Sequence, residues 1–455
     1  MINNENKSKD VFEKIELVFK ILFLVYTMIG YNSFLFGNKI ISVIMWPMLV
    51  LGMVLLLWRV IHLKEYIKTP GTIGMLLFCI SFVISMMINL KYEFKQNIIS
   101  FVFIVFYFGI LYLQNKSDQE VEKEFKLIGK IYLTYMVLSV IWSFVLFFNH
   151  YGEVKVVNDD SYELIAGFVW GRLWGVFLDP NVGSIMACIA IVIAVWFFAK
   201  SEKKVYKIFY GISILLQIFY IAFSDSRTGM LCLACLVFLE IYCVAYKKIR
   251  GMGVRKWLVL VMICGIISVV AFFIPKGITK GYNYVANMWD NAASEDNILI
   301  TRGYDLSEDP SNRRFDIWKS GLEIFNENKV FGTSYNGIRP YAYEYMPNTY
   351  IVNNDFQQIR NLHNEFLNVL VSQGIIGILS LILMIVPIVI LVLKRLFSKS
   401  EKEKLGYALF IGVAVTTVGT MFTSAGYFYY VCPYSIMFWL MMGYLQRILM
   451  NGDKS

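Results

Sequence analysis

Three residues far apart in the chain carry side chains suited to one kind of chemistry. Arg172 opens the stretch RLWGVFLDPN, Arg227 sits in SDSRTG, and His363 begins HNEFLNVLVSQGIIG. A guanidinium is permanently charged and offers a planar fork of donors matched to phosphate oxygens. Two of them at a membrane boundary can hold the diphosphate of a lipid whose tail lies in the bilayer. An imidazole, with an unperturbed pKa of about 6.5, can take the proton of a hydroxyl near neutral pH. Taken singly, each arginine reads equally well as a cation snorkelling to lipid headgroups, and a lone histidine is more often structural than catalytic.

The elements that position these residues are apolar. Of 455 residues, 58% are hydrophobic and only 16% charged, and the mean hydropathy is +0.58. A soluble chain carries about 25% charged residues. The apolar residues fall in blocks long enough to cross a hydrocarbon core of roughly 30 Å as helices. About twelve such spans are expected, so the fold is read as an all-α, polytopic integral membrane protein with one large extracytoplasmic loop. The spans place helices 1–5 in residues 1–149 and helices 6–9 with the two arginine motifs in 150–274. The large loop occupies 275–361, and the histidine motif with helices 10–12 occupies 362–455. Arg172 then precedes the sixth span, Arg227 ends the seventh, and His363 precedes the tenth, all on one side of the membrane.

Charge placement gives the orientation. About 25 lysines and arginines fall in connections on one side, and about six in the short connections on the other. Both termini are therefore expected in the cytoplasm, and the net charge of +9 needs no nucleic acid. The seven cysteines all fall inside expected spans, which excludes a disulfide framework for the loop. Cys232 and Cys235, although spaced like metal ligands, read as small core residues. Within the loop, Asp309-Pro310 signals a helix start, with Phe315, Trp318, Leu322 and Phe325 on one face. The tyrosines from Tyr335 to Tyr350 read as an interfacial belt or a sugar-facing surface.

The order of these motifs carries a resemblance. Arg172 with DPN, then SRTG at a span end, a long loop containing RRFDIW and FGTS, then HNEFL and GIIG are similar to the O-antigen ligase/polymerase superfamily over roughly residues 165–395. The resemblance implies a GT-C-like, inverting, metal-independent glycosyltransferase without a cofactor, in a bacterial inner or plasma membrane. Its partners would be undecaprenyl-diphosphate-linked oligosaccharides as donor and acceptor, membrane lipid, a flippase and a chain-length regulator. By the same resemblance Arg172 and Arg227 bind the donor diphosphate and His363 activates the acceptor hydroxyl. Arg313 or Arg314 matches the family's loop arginine. Asp179 departs from the pattern, standing where an asparagine is more usual. An anion beside a diphosphate would be unfavourable, so its side chain is expected to point elsewhere or to pair with an arginine.

The resemblance leaves the acceptor open. A polymerase of capsular or O-antigen-type repeats is favoured over a ligase by a lysine-, isoleucine- and asparagine-rich composition that suggests a cell without lipid A. A transporter or flippase of lipid-linked oligosaccharide is the rival from another class. Such proteins concentrate ionisable residues near the bilayer midplane, where this chain offers chiefly Glu240, toward the cytoplasmic end of its span.

Overall fold

The computed structural model describes residues 2–157, 162–249, 253–290, 298–301, 311–354, 359–397, 403–424 and 426–451. The chain opens with α1 (Ile2–Gly30), α2 (Lys39–Ile61), the short α3 (Leu63–Tyr66), α4 (Thr72–Ile88) and α5 (Phe94–Phe106). A π-helical turn, Tyr107–Tyr112, extends α5 and leads to α6 (Asp118–Phe148). Three strands follow: β1 (Gly152–Val157), β2 (Tyr162–Val169) and β3 (Arg172–Gly175). Next come α7 (Pro180–Lys200), α8 (Lys204–Phe223), α9 (Arg227–Ile249) and α10 (Val254–Asp290). The expected loop region contains α11 (Arg314–Glu327) and α12 (Ile338–Tyr345), and α13 (Glu365–Arg395), α14 (Glu403–Thr420) and α15 (Pro433–Asn451) close the chain.

Each of the twelve expected apolar blocks overlaps a helix. Among the described residues, eight helices are long and apolar enough to cross a membrane, and Thr72–Ile88 and Lys404–Thr420 are shorter apolar helices. Burial sorts them into centre and rim. Along α7 nearly every side chain is buried, as expected for a helix that is apolar all round. By contrast α10 presents Val254, Ile266 and Val270 at 72%, 67% and 58% exposure. Apolar surface of that extent faces lipid rather than water.

The end of the bundle remote from the loop is tied by buried charge. Lys20 bridges Glu16 at 2.6 Å and Glu124 at 2.9 Å, and Arg59 reaches Glu16 at 2.6 Å. Lys116 joins Glu124, whose third partner is the Tyr444 hydroxyl at 2.8 Å. Arg59 also donates to the carbonyls of Gly109 and Leu113, around the widened turn where π geometry frees backbone acceptors. One cluster thereby clamps α1, α2, α6 and α15.

One expectation is corrected. The fold is mostly helical but not all-α, because the segment between α6 and α7 forms an antiparallel sheet in the order β1-β2-β3. Its second turn needs only Trp170 and Gly171 between Val169 and Arg172. Both have positive φ, 52° and 69°, the pairing that two-residue hairpins with the right twist require. In α11 the face packed against the protein is Ile317, Ser320, Gly321 and Ile324, while Phe315 and Leu322 of the apolar face are exposed. Gly321 lies at that contact: a Cβ there would be 2.7 Å from a Leu362 methyl, so a larger residue would require the leucine to shift. The expected helix start at Asp309-Pro310 lies outside the described residues.

Candidate functional site

Arg172 is placed by the hairpin. It follows the Trp170-Gly171 turn, is 8% exposed, and its Nε donates to the Ser224 carbonyl at 2.9 Å. Ser224 belongs to the turn between α8 and α9, so the first arginine is fastened three residues before the second. The Ser224 hydroxyl meets that of Ser184 on α7 at 2.9 Å.

Arg227 is the first residue of α9. Ser226 caps that helix, its hydroxyl accepting the Gly229 N–H at 3.0 Å while donating to Asn181 Oδ1 at 2.9 Å. A cation at a helix N-terminus sits at the positive end of the macrodipole, an arrangement that an arriving anion relieves. Asp179, the departure noted in the sequence, caps α7 instead: its carboxylate accepts the Asn181 N–H at 2.6 Å. Its charge thus serves a helix start rather than lying loose beside an arginine.

His363 lies in the approach to α13 in a left-handed backbone conformation, φ 50°. Its N–H donates to Asn361 Oδ1 at 3.1 Å, and the Asn361 amide donates to the Ser424 carbonyl at 2.8 Å. Burial, and secondly the Arg314 charge, lower its pKa to about 4. The imidazole is therefore neutral at pH 7 and able to accept a proton.

The two loop arginines separate. Arg313 is left-handed at φ 61°, and its half-exposed side chain faces Asp316 at 3.8 Å. Arg314 starts α11, with its guanidinium carbon 5.9 Å from the Phe422 ring centre. It is Arg314 whose charge reaches His363.

What joins these pieces is the end of the apolar run 405–424, which by composition is expected to be one continuous span. α14 ends at Thr420. The turn after it carries Phe422, against Arg314, and Ser424, which holds Asn361; the Phe422 carbonyl also accepts the Thr228 hydroxyl at 3.4 Å. Arg172, Arg227, Arg314 and His363 thus belong to one connected set of turns at the loop end of the bundle, and Arg313 turns toward Asp316 instead. Five left-handed non-glycine residues, Trp170, Asp225, Asn312, Arg313 and His363, stand at or within two positions of these four. Such strain is held where the surroundings over-determine it, often at functional sites. The missed turn had a signal, the small and polar run Thr423, Ser424, Ala425 and Gly426, which favours chain breaks over helix. Among the described residues, no group of three or more His, Cys, Asp or Glu side chains is placed to hold a metal ion.

A bundle of apolar helices with a polar, cation-bearing site at one end defines a multi-pass membrane protein. Residues 212–382 match a family model described as O-antigen ligase, which supports the O-antigen ligase/polymerase superfamily as its class. That stretch contains Arg227, Arg314 and His363 and begins after Arg172. No curated protein matches the chain.

Proposed function

We propose that this protein polymerises lipid-linked oligosaccharide repeats by inverting glycosyl transfer from undecaprenyl diphosphate at the extracytoplasmic face of the bacterial membrane, with both termini in the cytoplasm. The observation that supports the reading is the linkage of the segments bearing Arg172, Arg227, Arg314 and His363 through the 224–228 and 421–424 turns. Arg172 and Arg227 hold the donor diphosphate. As the anomeric carbon–oxygen bond breaks, its electron pair goes to the diphosphate, whose growing charge the guanidinium groups stabilise. The acceptor hydroxyl oxygen forms the new bond from the opposite face of the sugar, and its proton passes to His363, a contribution typically of about 10²–10⁴-fold.

Ligation of the glycan to a lipid or protein acceptor is the second reading, favoured by the description of the matching family. Both readings use the same donor site and differ in the acceptor. Purified protein given only lipid-linked repeats should lengthen the glycans and release polyprenyl diphosphate. Release only when a second acceptor is added would establish ligation. Movement of the lipid across liposomes without elongation would establish transport and overturn both.

A further inference from the structure

Behind His363 lies a buried hydrogen-bond chain that the proposed reaction does not use directly. Glu365 and Asn368, in the first turn of α13, are each 1% exposed. Glu365 Oε1 accepts the Phe428 N–H at 2.6 Å. Its Oε2 accepts the Asn368 side-chain amide at 3.3 Å. Asn368 Oδ1 in turn accepts the Leu362 N–H at 2.9 Å. A backbone N–H can only donate, so the two ends fix the polarity of the whole chain: acceptor at Glu365, donor then acceptor at Asn368. Gly426 closes over the carboxylate so tightly that a Cβ there would overlap Glu365 Oε2.

The chain ends on Leu362, the residue before His363. On the other side Asn361 binds the His363 N–H and the Ser424 carbonyl. The left-handed backbone of His363 is therefore held from both flanks to the connection between α14 and α15, at Ser424 and at Phe428. Resting on the reading of His363 as the base, we infer that Asn368 and Glu365 are positioning residues: through the Leu362 N–H they fix the peptide that aims the imidazole at the acceptor hydroxyl.

Hydrogen-bond polarity supplies the test. Glu365→Gln keeps an acceptor for Phe428 but turns an amide donor toward the Asn368 donor. Asn368 must then flip, which leaves the buried Leu362 N–H without an acceptor. Asn368→Asp keeps that acceptor but sets two carboxylates against each other. The double variant Glu365→Gln with Asn368→Asp restores the three bonds of this chain, because the amide introduced at position 365 donates to the carboxylate introduced at position 368. The total charge is also conserved.

In the polymerisation assay on correctly inserted protein, each single variant should lower kcat about 10–100-fold with KM for the lipid-linked donor within about threefold, since misaimed catalytic groups lose rate on that scale. The double variant should recover most of the lost kcat. Wild-type kcat in both single variants, or a double variant no better than its parents, would overturn the inference. His363→Ala is run alongside. If it retains full activity, the assignment of the base fails. If it is inactive while the single variants behave as wild type, the base stands and the positioning role alone fails.

Discussion

At the scale of single residues the decisive quantity is the charge state of His363. Burial removes water from the imidazolium and Arg314 repels it, so both effects favour the neutral ring and the pKa falls to about 4. A base whose pKa is lowered stays competent above that value and is lost only as pH falls through it. The acid limb of kcat/KM is therefore expected near pH 4 rather than near the usual imidazole value of about 6.5. Arg314→Gln removes the repulsion and leaves the burial. Its limb should move upward, toward but not to the unperturbed value; a limb that stays fixed would place Arg314 away from the ring. Choosing between Arg313 and Arg314 was beyond the sequence, because two adjacent arginines differ only in where the helix begins. Left-handed Asn312 and Arg313 set that start, turning one side chain to Asp316 and the other to Phe422.

At the scale of elements, the pieces that carry the site are joined by close backbone approaches. Gly374 interrupts α13 with φ 65°, and a Cβ there would overlap the Val330 carbonyl oxygen. The Ile375 N–H donates to the Lys329 carbonyl at 2.8 Å, so the kink docks the segment after α11 onto α13. Gly374→Ala adds left-handed strain to that clash and should destabilise the protein by more than about 1 kcal/mol, read as a lower midpoint of thermal unfolding in detergent. At the opposite end, Lys20→Met removes one partner from a buried cluster and leaves Glu16 and Glu124 short of a cation. The expected loss is about 3–5 kcal/mol; an unchanged unfolding midpoint would show the cluster to be dispensable. The apolar runs made α7, α8 and the membrane part of α13 legible, since lipid and core demand the same composition along their whole length. The hairpin and the 421–424 turn were not legible in the same way. Arg172 owes its place to the conformation of two turn residues, and Met421 and Phe422 are apolar enough to read as a continuing span although the helix ends at Thr420.

At the scale of the whole molecule the central matter is sidedness. The site and the long loop share one end of the bundle, and the buried ionic cluster marks the other. The excess of lysine and arginine on the cluster's side, with the positive-inside tendency, is what supports the proposed outward placement of the loop end. Tyr343, at 69% exposure on α12, and the exposed Lys204 at the start of α8 report the two faces. Tyr343→Cys should react with a membrane-impermeant maleimide on intact cells, and Lys204→Cys only after permeabilisation; the reverse pattern would invert the topology. The most direct measurement is photo-crosslinking of the inserted protein with an undecaprenyl-diphosphate sugar carrying its reactive group beside the diphosphate, with the attachment sites mapped by mass spectrometry. Labelling should concentrate on peptides around residues 172, 224–228, 361–364 and 421–424, and should fall sharply in Arg227→Ala. Labelling centred on Glu240 and the middle of the helices, unaffected by that substitution, would contradict a shared diphosphate site at the loop end.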